Sequence, residues 1–462
     1  MRAQSPYAAR GHTPLWKQRV VHLQFLLVAA LLFGGGGVGY GLANACVQIL
    51  ALVLLALNGH VVARFFRHAP WPVLGLLVLT MLWPLLQLVP LPYAMWSRLP
   101  GRDIVEQSLS LVTDPQGAWF PVSMDSMRTL TAFVGTIVPA TVLVLGWGIS
   151  GRDRHRLLWT LAILALGSVL LGVFQLSGAV PLIYATNDLG MTKVVHGTFA
   201  NRNSAGVFLD VALAILCILP LRSVTLANLA LRVGLFALLG LGVIGTMSRS
   251  GTALLLLPVL FCLVRLWATR KEWIGKDRQG VRQGISRGWL LVFAVGGLLV
   301  IGAVAGAGGG RLASTFERYQ NLKDQRPEIW ADAIDSAKRY WPVGAGTGTF
   351  DEVFQADESL EYVTERRAGR AHNDYIEMAV ESGPFAELIA LAWVLAVLAS
   401  VWCVRKREDR WTLWASAVGL GCFILQSGID YPLRNQANLC VAGLLFALCA
   451  TAFRPRNMES AA

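Results

Sequence analysis

Apolar stretches long enough to cross a bilayer recur along the whole chain, and they constrain its fold more than any other feature. A membrane-spanning helix needs about 20 mostly apolar residues. Charged residues make up only 15% of the sequence, whereas soluble domains carry about 25%. Because a backbone surrounded by lipid must satisfy its own hydrogen bonds, these stretches are expected to be helical. The sequence therefore predicts an all-α polytopic membrane protein.

About twelve transmembrane helices follow from the apolar pattern. The first is predicted to be an uncleaved anchor, because no small-residue cleavage site follows a short apolar core. The seventh and eighth are separated only by Ser248, Arg249 and Ser250. The predicted spans are 20–40, 42–63, 71–89, 127–148, 157–177, 203–221, 231–247, 250–268, 289–307, 384–404, 411–428 and 437–453.

The basic residues predict the orientation of these helices. Lysine and arginine concentrate in alternate short loops, as the positive-inside rule requires of cytoplasmic loops. Both termini are then cytoplasmic, and the net charge of +12 reflects topology. Nucleic-acid binding is not indicated, since it would need a solvated basic face. The inner segments are marked by Arg64 and Arg67, by Arg152, Arg154 and Arg156, by Arg222 and Arg232, by 265–287, by 405–410, and by Arg454 and Arg456.

One long polar interval, 308–383, interrupts the apolar pattern and is predicted to lie in the periplasm. It divides the chain into helices 1–9 (1–307), a large loop (308–383) and helices 10–12 with a tail (384–462). Loops of this length are usually functional or disordered. Amphipathic pattern and glycine turns indicate that this one is folded, with short amphipathic helices.

Within the loop, Arg326 and Pro327 begin a predicted helix, since proline is tolerated in a first turn. Apolar residues at helical spacing predict that this helix lies along the membrane surface. Arg326 would then stand near the headgroup level, either binding a ligand or resting beside lipid phosphates. The apolar positions are Trp330, Ile334, Ala337 and Trp341.

Two of the seven histidines, His196 and His372, fall on the predicted outer side. Imidazole is the usual base near neutral pH, so both are candidates. His372 precedes Asp374 and Glu377, whose spacing resembles a capping box of a helix ending at Gly383. Nearby arginines would disfavour the protonated ring. The alternative is a loop histidine that hydrogen-bonds to backbone.

Outer-side arginines could grip a phosphate through paired N–H groups. Arg249 lies in a turn almost too tight to leave the bilayer, so a partner or ligand is expected; snorkelling to the headgroups is the alternative. Arg202 enters the sixth span, where Asn203 or Ser204 is predicted to cap the helix. Two carboxylates within predicted spans, Asp210 and Glu387, are candidate partners for an arginine.

Two glycine-rich stretches are candidates for ligand binding or close packing. Gly344, Gly346 and Gly348 could cradle phosphate oxygens, but no strand precedes them and no Lys-Ser/Thr follows, so a plain turn is favoured. Gly34–Gly37 is interpreted as permitting close helix approach.

The seven cysteines lie in or beside apolar stretches, with no CxxC pair. They are interpreted as small hydrophobic residues, and neither a disulfide framework nor a metal site is expected. No cofactor is predicted.

Four segments, taken in order, resemble motifs of the O-antigen ligase/polymerase superfamily, bacterial inner-membrane glycosyltransferases that use undecaprenyl-pyrophosphate-linked glycans. The Asn201-Arg202-Asn203 form is similar to that of exopolysaccharide or capsule polymerases. The four segments are Gly197-Thr198-Phe199-Ala200-Asn201-Arg202-Asn203; Ser248-Arg249-Ser250-Gly251; Arg326-Pro327-Glu328-Ile329-Trp330 with the later Gly344-x-Gly346-x-Gly348-x-Phe350; and Ala371-His372-Asn373-Asp374-Tyr375-x-Glu377.

The resemblance implies a metal-independent glycan transfer at the periplasmic face of the inner membrane. It implies that Arg249 and Arg326 contact pyrophosphate and that His372 is the base. Further substrate-side candidates are Arg202, Arg370, Asn373, Asn203 and His196, the last as reserve base.

The acceptor stays open between a growing polysaccharide and the lipid A core. Implied partners are the lipid-linked donor, the acceptor, membrane lipids and, for a polymerase, a flippase and a chain-length regulator. Two alternatives remain. One is a protein O-oligosaccharyltransferase. The other is a non-enzymatic flippase or transporter, although no internal repeat typical of transporters is evident.

Overall fold

The computed structural model describes residues 18–112, 114–184, 194–220, 225–275, 326–361 and 368–453. The predicted ninth span (289–307), the start of the large loop and the two tails lie outside these ranges.

Helices dominate the described residues. The first half contains α1 (Arg19–Phe33), α2 (Gly41–Leu57), α3 (Gly59–His68), α4 (Trp71–Gln87), α5 (Tyr93–Trp96), α6 (Asp103–Val112), α7 (Ser126–Gly146), α8 (Gly151–Leu176), α9 (Arg202–Ile218), α10 (Leu226–Gly245), α11 (Arg249–Leu254) and α12 (Leu256–Gly275). The second half contains α13 (Arg326–Tyr340), α14 (Phe350–Phe354), α15 (Asp374–Ser382), α16 (Pro384–Cys403), α17 (Arg410–Ser427), α18 (Gln436–Ala450) and a 3-10 turn (Thr451–Phe453). Two short strands, β1 (Pro90–Pro92) and β2 (Trp119–Pro121), pair antiparallel with Leu91 opposite Phe120.

Six helical segments in the described ranges are long and apolar enough to cross a membrane. Those segments are Ser126–Gly146, Gly151–Leu176, Ala227–Gly245, Arg249–Arg270, Pro384–Cys403 and Gln436–Phe453. Helices also occupy the other predicted spans that the structure describes, but α1, α4 and α9 are shorter, at 15, 17 and 17 residues. A multi-pass membrane protein is supported, and the number twelve stays a prediction.

The second predicted span, 42–63, is not one straight helix. It breaks at Asn58, where α2 and α3 meet at 79°. The buried Asn58 amide contacts His22 Nδ1 at 2.8 Å and donates to the Leu54 carbonyl at 2.8 Å. A side chain that bonds to its own backbone competes with helix continuation. The break falls at Asn58-Gly59-His60, a short interruption of the apolar stretch that the predicted span passes over.

Helix α9 forms the centre of the bundle. Every residue from Ser204 to Ile218 is buried, and α8, α10, α12 and α17 all pack against it. A helix that is apolar on all sides is expected to be enclosed in this way. Helix α18, buried to a similar extent, packs against α7 and α17. The first turns of α9 and α18 lie beside each other, since the Asn438 amide donates to the Ser204 carbonyl at 3.4 Å.

The glycines after α1 permit close backbone approach, as predicted. Ala437 N donates to the Gly34 carbonyl at 3.2 Å, and Ala200 N donates to the Gly35 carbonyl at 3.1 Å. A Cβ on Gly34 would lie 2.8 Å from Ala437 N, which real side chains do not tolerate. These contacts fix the loop that leads into α9.

The described part of the large loop has its own small core. Ala333 and Tyr340 of α13, Phe350 and Phe354, and Val380 of α15 are buried together. The buried face of α13 contacts α15, whereas Ile334 in the helix and Trp341 just after it remain 44% and 48% exposed. The loop is therefore folded where it is described, with helices α13 to α15. Contact of the exposed α13 residues with lipid stays a prediction.

Candidate active site

His372 faces a buried carboxylate from a distant part of the chain. Its Nδ1 lies 3.1 Å from Oδ1 of Asp430, in the short loop between α17 and α18. The Asp430 side chain is 1% exposed, whereas that of His372 is 35% exposed. The ring is therefore held on one side and open on the other.

The second oxygen of Asp430 is bound by the start of α9. Asn203 Nδ2 donates to Oδ2 at 2.5 Å, and Asn201 Nδ2 donates to it at 3.3 Å. Burial would raise the pKa of Asp430, but the hydrogen bonds of His372 and Asn203 and the positive charge of Arg326 leave that pKa below its usual value. Asp430 is therefore ionised at neutral pH and accepts hydrogen bonds on both oxygens.

The backbone around His372 is held in an uncommon conformation. His372 has φ +52°, in the left-handed region that non-glycine residues seldom adopt. On the preceding residue, the Ala371 carbonyl accepts from Trp330 Nε1 at 2.8 Å, and Ala371 N donates to Glu377 Oε1 at 3.0 Å. Such backbone strain persists only where the surroundings enforce it, and it clusters at functional sites.

Asn373, rather than Asp374, caps α15. Its side-chain oxygen accepts from Tyr375 N at 3.0 Å and from Ile376 N at 3.3 Å. The capping-box interpretation of Asp374 and Glu377 was therefore wrong by one residue, because both carboxylates are recruited by a distant arginine. The predicted helix end at Gly383 is confirmed.

That arginine, Arg434, was missed by sequence reasoning. It reaches Asp374 at 3.1 Å, Glu377 at 3.2 Å and Glu381 at 3.1 Å. Burial raises the pKa of Asp374 to about 6, against the opposing effect of Arg434. The surrounding carboxylates outweigh burial and raise the pKa of Arg434, so it stays charged. No local pattern marks Arg434, since it occupies a short loop between apolar stretches.

Arg249 lies at the start of α11, in a turn tied to the same region. Ser248 caps the turn through Gly251 N at 3.0 Å, and Gln426 Nε2 of α17 donates to Ser250 Oγ at 2.9 Å. The Gln426 carbonyl in turn accepts from Asp430 N at 2.9 Å. The Arg249 turn and the Asp430 loop are thus linked through one glutamine.

Arg326 and Arg370 approach His372 from two segments of the large loop. Arg326, at the beginning of α13, acts on Asp430 through its charge. Arg370 pairs with Glu377 at 3.0 Å, and its guanidinium carbon lies 5.8 Å from the centre of the Tyr431 ring. The Tyr431 ring is also 5.1 Å from the ring of His372. The structure thus brings Arg326, Arg370 and His372 to the Asp430 loop.

At the start of α9, the capping residue is Asn201, and the prediction of Asn203 or Ser204 was wrong. The Asn201 oxygen accepts from Asn203 N at 2.7 Å. Asn203 is thereby free to use its own amide on Asp430. Arg202, between the two asparagines, is the first residue of α9.

Two of the remaining candidates, His196 and Asp210, are buried. His196 is 2% exposed, in a loop where Thr198 N contacts Ser168 Oγ at 3.4 Å, which does not favour contact with a substrate. Asp210 is completely buried in α9, and within the described ranges neither of its oxygens has a hydrogen-bond partner. Glu387 is in the first turn of α16.

The Gly344–Gly348 turn is filled by protein atoms. A Cβ on Gly344 would lie 2.5 Å from Ser382 N, and one on Gly346 would lie 2.7 Å from Ser123 Cβ. The same turn places Thr347 Oγ1 2.7 Å from Gln87 Oε1. This packing favours the plain turn over a phosphate cradle. Elsewhere in the described ranges, no three His, Cys, Asp or Glu side chains converge as metal ligands would.

Comparison with known proteins gives one family. A family model described as O-antigen ligase matches residues 234–391. The matched segment includes Arg249, Arg326, Arg370, His372 and Asn373, and it ends before Asp430 and Arg434. A search of curated proteins found no match.

Proposed function

The family match supports membership of the O-antigen ligase/polymerase superfamily, and on that premise we propose a glycan transfer in which His372 is the base. The donor is a glycan on undecaprenyl pyrophosphate, and the acceptor is a sugar hydroxyl at the periplasmic face of the inner membrane. Family membership implies a glycosyltransferase-type enzyme with a lipid-linked glycan and an acceptor as substrates.

The observation that carries the proposal is the contact between His372 Nδ1 and Asp430, 3.1 Å apart. An ionised Asp430 accepts the Nδ1 proton, which leaves the Nε2 lone pair available. Nε2 then removes the proton of the acceptor hydroxyl as its oxygen attacks the anomeric carbon. The bond from that carbon to the pyrophosphate oxygen breaks, and undecaprenyl pyrophosphate leaves with the bonding electrons.

Arginine side chains stabilise the leaving group in this proposal. Arg249 and Arg326 contact the pyrophosphate, since a guanidinium binds phosphate oxygens through two parallel N–H groups. The link of the Arg249 turn to the Asp430 loop supports its place at the site, as does the influence of Arg326 on Asp430. Arg370 is held by Glu377 and assists from the rim, with Arg202.

The test is transfer by the purified protein in liposomes that contain the lipid-linked donor and an acceptor glycan. His372→Ala is expected to lower the transfer rate by about 100-fold or more, the usual contribution of a general base. His60→Ala, in α3, is the matched control and should keep full activity. Undiminished transfer by His372→Ala would contradict the proposed base.

The products separate the acceptor classes. A longer polysaccharide indicates a polymerase, a glycan joined to lipid A core indicates a ligase, and a glycosylated protein indicates an O-oligosaccharyltransferase. Movement of the donor across the membrane without a new glycosidic bond, unaffected by His372→Ala, would favour a flippase.

A further inference from the structure

Arg434 binds three carboxylates that lie on one face of α15. The separations are 3.1 Å to Asp374 Oδ1, 3.2 Å to Glu377 Oε2 and 3.1 Å to Glu381 Oε2. The three side chains are 8%, 0% and 1% exposed. They occur at positions i, i+3 and i+7, which places them on the same side of a helix.

These ion pairs join the two chain segments that supply His372 and Asp430. Asp374 is two residues after His372, and Arg434 is four residues after Asp430. The two segments are therefore joined twice, by the contact between His372 and Asp430 and by the contact between Asp374 and Arg434. Displacing Arg434 would break the second of these contacts without changing the His372 or Asp430 side chain.

Glu377 transmits this restraint to the backbone beside His372. One carboxylate oxygen accepts from Ala371 N at 3.0 Å, and the other contacts both Arg370, at 3.0 Å, and Arg434. Ala371 directly precedes the left-handed turn at His372. Glu381 also pairs with Arg434, but it lies one turn farther along α15 and is bound to no backbone group near His372 in the described contacts.

Resting on the proposed function, we propose that Arg434 is a positioning residue of the transfer reaction. Through Glu377 and Asp374 it holds the segment 371–374 so that the His372 ring stays against Asp430 and presents its other nitrogen to the acceptor. It does this from a position that the substrate does not need to touch.

The residue type suits this role. A guanidinium has five N–H groups in a planar fork and can contact several carboxylates at once, whereas a lysine ammonium is a single point charge. Breaking a buried charge cluster by removing one partner leaves the others uncompensated, which is strongly destabilising. Removing the charge with Arg434→Met can therefore unfold the region, so the experiment changes the glutamates and uses only the conservative Arg434→Lys at this position.

The experiment compares Glu377→Ala with Glu381→Ala in liposomes, with Arg434→Lys as the conservative variant. Each glutamate variant removes one buried carboxylate from Arg434, so both should lower Tm, and the fall should be larger for Glu377→Ala, which also loses the contacts to Arg370 and Ala371 N. Two other contacts keep α15 in place in both variants. Tyr375 Oη donates to the Ile424 carbonyl at 2.7 Å, and Ser427 donates to Asp374 at 2.9 Å. The variants differ in whether Ala371 keeps its restraint.

Glu377→Ala is expected to lower kcat by about 10- to 100-fold, the scale of a misplacement of about 1 Å, with donor KM nearly unchanged. Glu381→Ala should stay within about threefold of wild type. Arg434→Lys should fall between Glu381→Ala and Glu377→Ala in kcat. Losses of kcat that follow the falls in Tm in both glutamate variants would indicate a merely structural cluster and overturn the proposal.

His372→Ala in the same assay distinguishes this inference from the proposed function. If His372→Ala is inactive while Glu377→Ala has wild-type kcat, the positioning role fails alone. If His372→Ala is active, the proposed base and the role of Arg434 fail together.

Discussion

Asp430 has both oxygens occupied by protein groups, His372 on one and two asparagines on the other. It is therefore suited to orienting the histidine and is poorly placed to contact a substrate. The Asn201 and Asn203 amides hold the Asp430 carboxylate, so residues at the start of α9 fix its orientation relative to the His372 ring. Residues that resemble a substrate-binding motif in sequence thus contact the carboxylate that lies against His372.

We expect Asp430→Asn to preserve folding and to lower kcat by about 100-fold or more, since a neutral side chain no longer selects the tautomer with a free Nε2. The measurement is the transfer rate in liposomes alongside Tm. Asp335→Asn, at a side chain 69% exposed, is the matched control and should be unaffected. Wild-type kcat in Asp430→Asn would mean that the histidine needs no such partner.

At the scale of the helix, local sequence pattern and distant contacts together determine the structure of α15. Its span and its end at Gly383 follow from sequence, whereas its cap and the partners of its carboxylates do not. Spacing suggests that Asp374 caps the helix, but a partner 60 residues away determines its conformation. Capping rules describe the first turn alone, so they cannot detect Arg434.

The buried carboxyl of Asp374 predicts a pH dependence of stability. Its folded pKa of about 6 exceeds the unfolded value of about 3.9, so the folded state binds the proton more tightly. By linkage, titration of Asp374 lowers the free energy of unfolding as pH rises from about 4 to 6, and its effect is constant above that range. Asp374→Asn cannot titrate, so its Tm relative to wild type should rise over that interval and then level off. A constant difference in Tm across pH 4.5 to 7.5 would contradict the raised pKa.

At the scale of the whole molecule, apolar pattern predicts where the helices lie but not how they meet. Predicted spans coincide with helices in the described ranges, apart from the break at Asn58 and the first span, whose helix ends at Phe33 instead of reaching residue 40. Motifs separated by more than a hundred residues converge at one end of α9, and the family resemblance supplies that expectation. Asp430 and Arg434 escape notice because a short polar loop between two spans has no periodicity to interpret.

The predicted orientation can be checked with a membrane-impermeant maleimide on intact spheroplasts. The exposed Cys46 and Cys403 are first replaced by serine. Leu360→Cys, in the large loop where the side chain is 91% exposed, should be labelled from outside. Glu408→Cys, just before α17 and therefore at the opposite end of that helix from Asp430, should react only after the membrane is opened. The reverse pattern would place the site in the cytoplasm.

Helix α9 is restrained at both of its termini. Asn201 caps its first turn, while Arg232 and Arg265 donate to the Leu219 and Cys217 carbonyls at the other end. Cations are favoured where a helix ends, because unsatisfied carbonyls gather there. Contacts at both ends therefore oppose movement of α9 along its own axis. Any rearrangement during the proposed transfer would then fall to the segments that surround α9.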